Sequence, residues 1–249
     1  MEFRLLHQVI ALTLIAFSLS SLAYTLEDSI PARKAANKTE LQWSLCNETS
    51  ASFARKTGSP LKNSEKRSVY FLETSDMQLT KSHAFLRIRE EDRTFKTSAK
   101  VNYPDDTQLP WKKLKGKDSK CEWDRYGSFK KVGCSLNFEA SSLATAVSKD
   151  QKSYIESATA FRAWDQLKIL GPASDEEWSW TPDHLPSDLS LEQTTAPGFT
   201  SLELSTRVST EDSDDTYDYV QEWLSQNQVE LCPVQRGKSE ALIRALLAP

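Results

Sequence analysis

The sequence predicts an α+β protein dominated by antiparallel strands, with helices flanking the sheet. Three observations carry this. Residues 68–101 read as three short strands in a row, 69–73, 84–90 and 94–101, each bounded by polar turns. Residues 121–138 have the pattern of a hairpin that turns near Gly127-Ser128. Period-two alternation returns at 39–45 and 201–208, whereas helical spacing is confined to short stretches near 47–57, 148–161, 217–227 and 237–247.

Composition narrows the function classes. The 249 residues carry 31 basic and 35 acidic side chains, a net charge of −4. A general nucleic-acid binder would be basic overall, so any cationic cluster must be local. The four cysteines, Cys46, Cys121, Cys134 and Cys232, lack the close pairs of a zinc site. Their even number suits two disulfides in an oxidising compartment. Two sequons begin at Asn37 and Asn47 and would accept glycans in a eukaryotic source.

Taken in order, residues 1–23 have Arg4, an apolar run at 9–17 and a small-residue exit ending at Ala23. This is the pattern of a secretory signal peptide cut after Ala23. The alternative is an uncleaved anchor, for which the apolar run is short. Residues 24–38 read as a flexible lead-in and 39–249 as one domain. In 39–45, Glu40, Gln42 and Ser44 share one face, and Leu41, Trp43 and Leu45 the other. A short helix follows at 47–57, ended by Gly58-Ser59-Pro60, and then a polar loop at 61–67.

In the three-strand stretch Arg87 and Arg89 share a face, as do Lys96, Ser98 and Lys100. Antiparallel pairing sets these cationic rows side by side, and like charges opposite each other destabilise a sheet. Two readings remain open: a solvated outer face, or a face on which an anion or carboxylates sit between the rows. Residues 102–117 form a loop in which Lys112, Lys113, Lys115 and Lys117 are read as solvated. In the next hairpin Cys121 lies opposite Cys134, which predicts a disulfide between them and leaves Cys46 for Cys232. Glu122 and Asp124 lie on the face opposite Cys121 and Trp123.

Ser148 and Gln151 form a capping box that opens a helix, with Tyr154, Ile155, Ala158 and Phe161 as core. Residues 165–172 lead into the second half. Trp178 and Trp180 alternate in a strand and are read as its outer covering. A loop spans 181–187, and a strand at 188–193 carries Glu192. A turn at Ala196-Pro197-Gly198 returns the chain into 201–208, where Glu203, Ser205 and Arg207 share a face. Residues 210–215 read as an acidic linker before the amphipathic helix 217–227. Lys238 opens the final helix, whose N-terminus favours anions.

The run Tyr70-Phe71-Leu72-Glu73-Thr74-Ser75-Asp76-Met77-Gln78-Leu79, the strand Leu86-Arg87-Ile88-Arg89 and the ending Thr97-Ser98-Ala99-Lys100 together resemble the signature of the CYTH family, the triphosphate tunnel metalloenzymes. Glu73 stands where that family commonly has Asp. Glu122 and Asp124 match its acid-x-acid pattern, and Lys238-Ser239 is similar to the Ser-Lys element that closes such domains. Leu170-Gly171-Pro172 and Glu203-Leu204-Ser205-Thr206 resemble a bacterial branch. The first strand departs from the pattern. The family carries Glu-x-Glu-x-Lys there; this chain has Glu40, Gln42 and Ser44, or, in the other alignment, Lys38, Glu40 and Gln42. One acid and the lysine are missing either way, and neutral oxygens hold a hard divalent cation less strongly than carboxylates.

The resemblance implies an eight-stranded antiparallel β-barrel with a polar lumen and helices outside. It implies that Arg87, Arg89, Lys96, Lys100, Arg207 and Lys238 hold phosphate oxygens. Glu40, Glu122, Asp124 and Glu203 would hold Mg²⁺ or Mn²⁺, with Glu192 also in the lumen. The implied activity is metal-dependent hydrolysis of inorganic triphosphate, polyphosphate or a nucleoside triphosphate by a secreted protein. The alternative is a catalytically degenerate barrel that binds a phosphorylated or polyanionic ligand without turnover. A third possibility is a structural protein whose lumen charges only neutralise one another. Adenylate cyclase activity, known in the family, is less expected outside the cell. Neither a nucleic-acid partner nor, after signal cleavage, a membrane is expected.

Overall fold

The computed structural model describes residues 30–103, 107–109, 118–183, 185 and 187–248. The signal-peptide reading and the loop lysines 112, 113, 115 and 117 lie outside the described residues.

The alternating stretches become nine barrel strands. They are β1 (Lys38–Leu45), β2 (Glu65–Glu73), β3 (Ala84–Glu91), β4 (Thr94–Tyr103) and β5 (Ser119–Tyr126). β6 (Phe129–Ala140), β7 (Lys168–Trp180), β8 (Leu189–Ala196) and β9 (Phe199–Ser209) complete the set. They close in the order β8-β9-β1-β5-β6-β4-β3-β2-β7, with β7 returning to β8. Two-residue strands at Ile30–Pro31 and Gln108–Leu109 pair separately.

The barrel thus has nine strands where eight were expected, and it is not wholly antiparallel, because β1 and β5 run parallel. The two departures have one cause. Directions cannot alternate all the way around a ring with an odd number of members, so one neighbouring pair must run the same way. That pair sets Glu40 beside Asp124 in register.

Three boundaries differ from the sequence reading. β2 begins at Glu65, inside the stretch read as a polar loop, because Arg67 points into the barrel in step with Val69 and Phe71. β7 begins at Lys168 and runs through the stretch read as a lead-in, pairing with β2 along its length. α4 (Ser213–Gln226) begins within the supposed acidic linker. Asp214 and Asp215 sit in its first turn, where the helix dipole favours negative charge.

The outward faces of the strands carry the apolar packing. Leu41, Trp43 and Leu45 of β1 pack with Phe53 of α1 (Ser50–Thr57) and with Tyr217, Val220 and Leu224 of α4. Trp43 and Tyr217 stack at 5.0 Å between ring centroids. Trp178 and Trp180 lie against the same cluster, and Trp180 meets Phe53 edge-on, so both cover the barrel as expected. On the far side Tyr154 and Ile155 of α3 (Lys149–Ala158) pack with Leu86, Ala99, Val101 and Val132. The capping box at Ser148 and Gln151 forms. Phe161 is buried as expected but lies beyond the helix, edge-on to Trp164.

The turn after β2 is built around Glu73, which is fully buried. Its carboxylate accepts backbone N–H bonds from Thr74, Leu79 and Thr80 and a hydroxyl bond from Thr80. A carboxylate held this way anchors the short helix α2 (Gln78–Lys81). At the other end of the chain, Leu242 and Ile243 of α5 (Lys238–Leu247) pack with Val69, Phe71 and Leu170.

Both expected disulfides are present. Cys121–Cys134 crosslinks β5 to β6, and Cys46–Cys232 ties the end of β1 to the segment before α5. The second closes a sequence separation of 186 residues. Backbone bonds from Cys46 N–H to the Glu230 carbonyl and from Cys232 N–H to the Ser44 carbonyl flank it. A crosslink over so long a loop restricts the unfolded chain strongly. The Cys46→Ser/Cys232→Ser double variant is expected to lose about 2–4 kcal/mol in urea denaturation; an unchanged midpoint would show that the bridge contributes nothing to stability.

Candidate functional site

The inward faces of the strands enclose a cavity of about 1310 Å³. Its walls are charged, and the charge is sorted. β8, β9, β1 and β5 are adjacent and supply Glu192, Glu203, Glu40, Glu122 and Asp124. β4, β3 and β2 are adjacent on the other side and supply Lys96, Lys100, Arg87, Arg89 and Arg67. Arg207 on β9, Lys120 on β5 and Lys238 at the start of α5 are basic members on the acidic side, and Glu65 and Glu91 are acidic members at the margin of the basic side. All ten residues singled out as phosphate or metal ligands therefore border one cavity, as does Glu192.

The acidic wall has a focus. One carboxylate oxygen each from Glu40, Glu122 and Asp124 lie within 4.8 Å of one another. The parallel β1–β5 pairing brings Glu40 to Asp124, and strand alternation brings Glu122 onto the same face. Glu203 is not in this cluster. It is buried beside Lys238, whose ammonium lies 3.2 Å from its Oε1 and also contacts Glu192.

Three cations neutralise the carboxylate cluster. Lys100 Nζ lies 2.7 Å from Asp124 Oδ2. Lys120 Nζ lies 2.5 Å from Glu122 Oε2. Arg207 bridges Glu40 at 2.5 Å and Glu122 at 3.2 Å. Gln42 donates to the other oxygen of Glu40 at 3.1 Å. Asp124 is fully buried with the Lys100 ammonium at its Oδ2, and among the described residues nothing donates to its Oδ1 or to Glu203 Oε2. Such buried acceptors are costly unless a cation faces them. This donor set of hard carboxylate oxygens fits Mg²⁺ or Mn²⁺.

The basic wall is held less completely. Arg87 and Lys131 make no ion pair with any described residue, although both border the cavity. Arg89 reaches Glu192 only at 3.9 Å, and its Nε has no hydrogen-bond partner among the described residues. Lys96 sits nearer solvent and pairs with Glu91 at 2.6 Å.

Burial and pairing pull the titrations apart. Burial lowers the Lys100 ammonium's pKa, but Asp124, Glu40 and Glu122 outweigh it and hold the group above its ordinary value. Lys238 is raised in the same way, burial being overcome by Glu203 and Glu192. Burial, with Arg87 nearby, pulls Arg89 down to about 10, which leaves it charged at neutral pH. Glu203 is raised, mainly by burial. Burial also raises Asp175, and the neighbouring Glu192 adds to the effect. For Glu192 burial acts upward, but Lys238, a hydrogen bond with Asp175, and Arg89 and Arg87 hold the carboxyl well below the usual range.

A second ion cluster was not foreseen from the sequence. Arg67 is buried and donates to Asp175 at 2.8 Å and to Glu177, with Glu192 at 3.6 Å. Thr194 donates to the remaining oxygen of Asp175. A signal existed. If Trp178 and Trp180 face outward, Asp175 and Glu177 must face inward. Lys120 shares the face of Glu122 and Asp124 and could have been read the same way, as could Lys131, opposite Asp124 in the hairpin.

The depressed pKa of Glu192 has a definite sign in folding. Its stabilising contribution is present above the ordinary value of 4.5 and is lost as pH falls through the lower folded-state value. Asp175 and Glu203 act in the opposite sense, so the variant must be compared with the wild type. Glu192→Gln is expected to lose about 1.5–3 kcal/mol at pH 7, since it removes one of the two carboxylates that pair with Lys238, and to show a shallower fall in stability below pH 4.5. Denaturation series at several pH values would check it; parallel curves for the two proteins would contradict it.

No protein-family model and no curated protein matches the sequence. Solved structures do. A Bacillus halodurans protein described as a candidate adenylate cyclase aligns over 82% of this chain and 98% of its own, with 16% identity and a TM-score of 0.55. A Hippeastrum protein, first assigned as an adenylyl cyclase and described as having a dominant triphosphatase activity, aligns over 84% of this chain and 97% of its own. Its identity is 13% and its TM-score 0.58. At these identities the likeness is one of fold.

Proposed function

The chain carries a divergent CYTH-like fold, and we propose that its tunnel binds a triphosphate-bearing compound or polyphosphate and hydrolyses it with a divalent cation. One observation supports this above others: the cavity gathers a carboxylate cluster on one side and, across from it, the incompletely paired guanidinium groups of Arg87 and Arg89. A polyphosphate with a bound metal ion carries the complementary pattern, anionic oxygens on one flank and a cation on the other.

In this reading Arg87, Arg89, Lys96 and Lys100 bind phosphate oxygens, the arginines in bidentate fashion. Arg207 and Lys238 add positive charge from the acidic side. Glu40, Glu122 and Asp124 hold Mg²⁺ or Mn²⁺, and Glu203 stands near as a further carboxylate. When bound, the metal supplies Lewis-acid stabilisation of charge on the phosphoryl oxygens. The basic wall orients the phosphate chain and offsets the charge that grows as water attacks the terminal phosphorus. Glu40 and the Glu122-x-Asp124 pair together supply three carboxylates, which offsets the single acid on β1.

A second reading, binding without turnover, draws on one observation. Ser44 stands where the family has a lysine, and it is tied to the segment before α5, its N–H donating to Gln235 Oε1 at 2.8 Å. That position therefore offers no cation to a ligand. Secretion belongs to the proposal as well. It is supported by the two disulfides, which persist in oxidising compartments, and by the N-terminal pattern. No described helix is long and apolar enough to cross a membrane.

The deciding measurement is phosphate release from inorganic triphosphate and from ATP with Mg²⁺ or Mn²⁺. Activity is expected with metal and absent in EDTA. Glu122→Gln and Arg87→Met are each expected to lower kcat by about 100-fold or more. Binding of triphosphate without release would leave the second reading.

A further inference from the structure

Gly133 lies on β6 directly opposite Glu122 on β5. Its backbone is in an ordinary region, so conformational freedom does not explain a glycine there. Space does. A Cβ at this position would lie 2.3 Å from Lys100 Cε, 2.9 Å from its Nζ and 3.1 Å from Asp124 Oδ2. Glycine inside a strand often marks a place where another group must approach closely. Here the tip of Lys100, rooted on β4, crosses β6 through the slot that Gly133 leaves and ends on Asp124 of β5.

The ammonium thus sits on the one fully buried member of the carboxylate cluster, whose other oxygen receives no hydrogen bond from a described residue. Lys120 and Arg207, which neutralise the other two, have side chains 39% and 53% exposed and can swing into water. Lys100 is 28% exposed and is rooted among the cationic strands. Once displaced from Asp124 it remains in the cavity, beside a wall on which Arg87 and Arg89 already lack full partners. With the nearby carboxylates Glu40 and Glu122 engaged by the cation, an anion in the cavity would then neutralise it.

We infer that Lys100 is a resident counter-ion of the carboxylate cluster. It occupies the cluster until a divalent cation displaces it, and then serves as a ligand for the anion. This rests on the metal-and-phosphate reading of the tunnel. Its consequence is that cation and anion bind with positive coupling, each raising the affinity for the other by the same factor.

The test uses Mn²⁺ as the cation, followed by electron paramagnetic resonance, and sulfate as an anion that chelates it weakly. In the wild type, sulfate should tighten Mn²⁺ binding several-fold. Lys100→Met should bind Mn²⁺ about tenfold more tightly than wild type without sulfate, and sulfate should no longer help. Gly133→Ala keeps every charge but closes the slot. It should also tighten Mn²⁺, which separates displacement of the lysine from a loss of positive charge, and it remains informative if Lys100→Met does not fold. Unchanged Mn²⁺ affinity in Gly133→Ala, or equal coupling in wild type and Lys100→Met, would overturn the role of Lys100 and leave the metal site standing. Absence of Mn²⁺ binding in all three proteins would remove the metal reading itself, and the inference with it.

Discussion

A charge taken out of water needs a counter-charge close by, and this barrel is arranged around that requirement. Its strands turn mostly apolar faces outward, under the helices, and mostly ionic faces inward, where Phe71 and Phe85 are apolar members of the cavity wall. Breaking one buried pair costs about 3–5 kcal/mol, because the surviving partner is left uncompensated. The lumen is therefore a set of linked pairs: Arg67 with Asp175 and Glu177, Lys238 with Glu192 and Glu203, Lys100 with Asp124, and Arg207 across Glu40 and Glu122. The apolar shell holds the strands in register so that these pairs meet.

That dependence makes the odd strand count matter beyond topology. One parallel pair is unavoidable in a closed ring of nine, and here it is β1 with β5. The carboxylate cluster spans that seam. Glu40 comes from one strand and Glu122 and Asp124 from the other, so the lone acid of β1 acquires neighbours from a strand about eighty residues further on. At the far end of β1, Ser44 binds the segment that the Cys46–Cys232 bridge holds in place.

The ion pairs are not all equivalent. The Arg67 cluster is buried and multiply bonded, the kind of arrangement that fixes strand positions. Arg87, Arg89 and Lys131 are in the cavity with few or no partners, which is unusual for groups so enclosed. The contrast divides the lumen into a part whose charges are internally paired and a part whose cations are not.

By itself the sequence determined the strand periodicity, the hairpin that pairs Cys121 with Cys134, the Ser148 capping box and which side chains share a face of a strand. These follow from short-range rules, a period of two or a cap three residues from its partner, that any window of the chain displays. It also marked Arg87, Arg89, Lys100, Glu122 and Glu203 as members of charged faces. Only the tertiary structure decided that the barrel closes with nine strands, that β1 and β5 run parallel, and that Arg67 and Asp175 are buried partners. A strand beginning Glu65-Lys66-Arg67 looks like a solvated loop until its counter-ions arrive, and Asp175 lies on a strand 108 residues away. Pairing across that distance is fixed by ring closure and the demand for charge neutrality inside it, and neither is visible in a local stretch of chain.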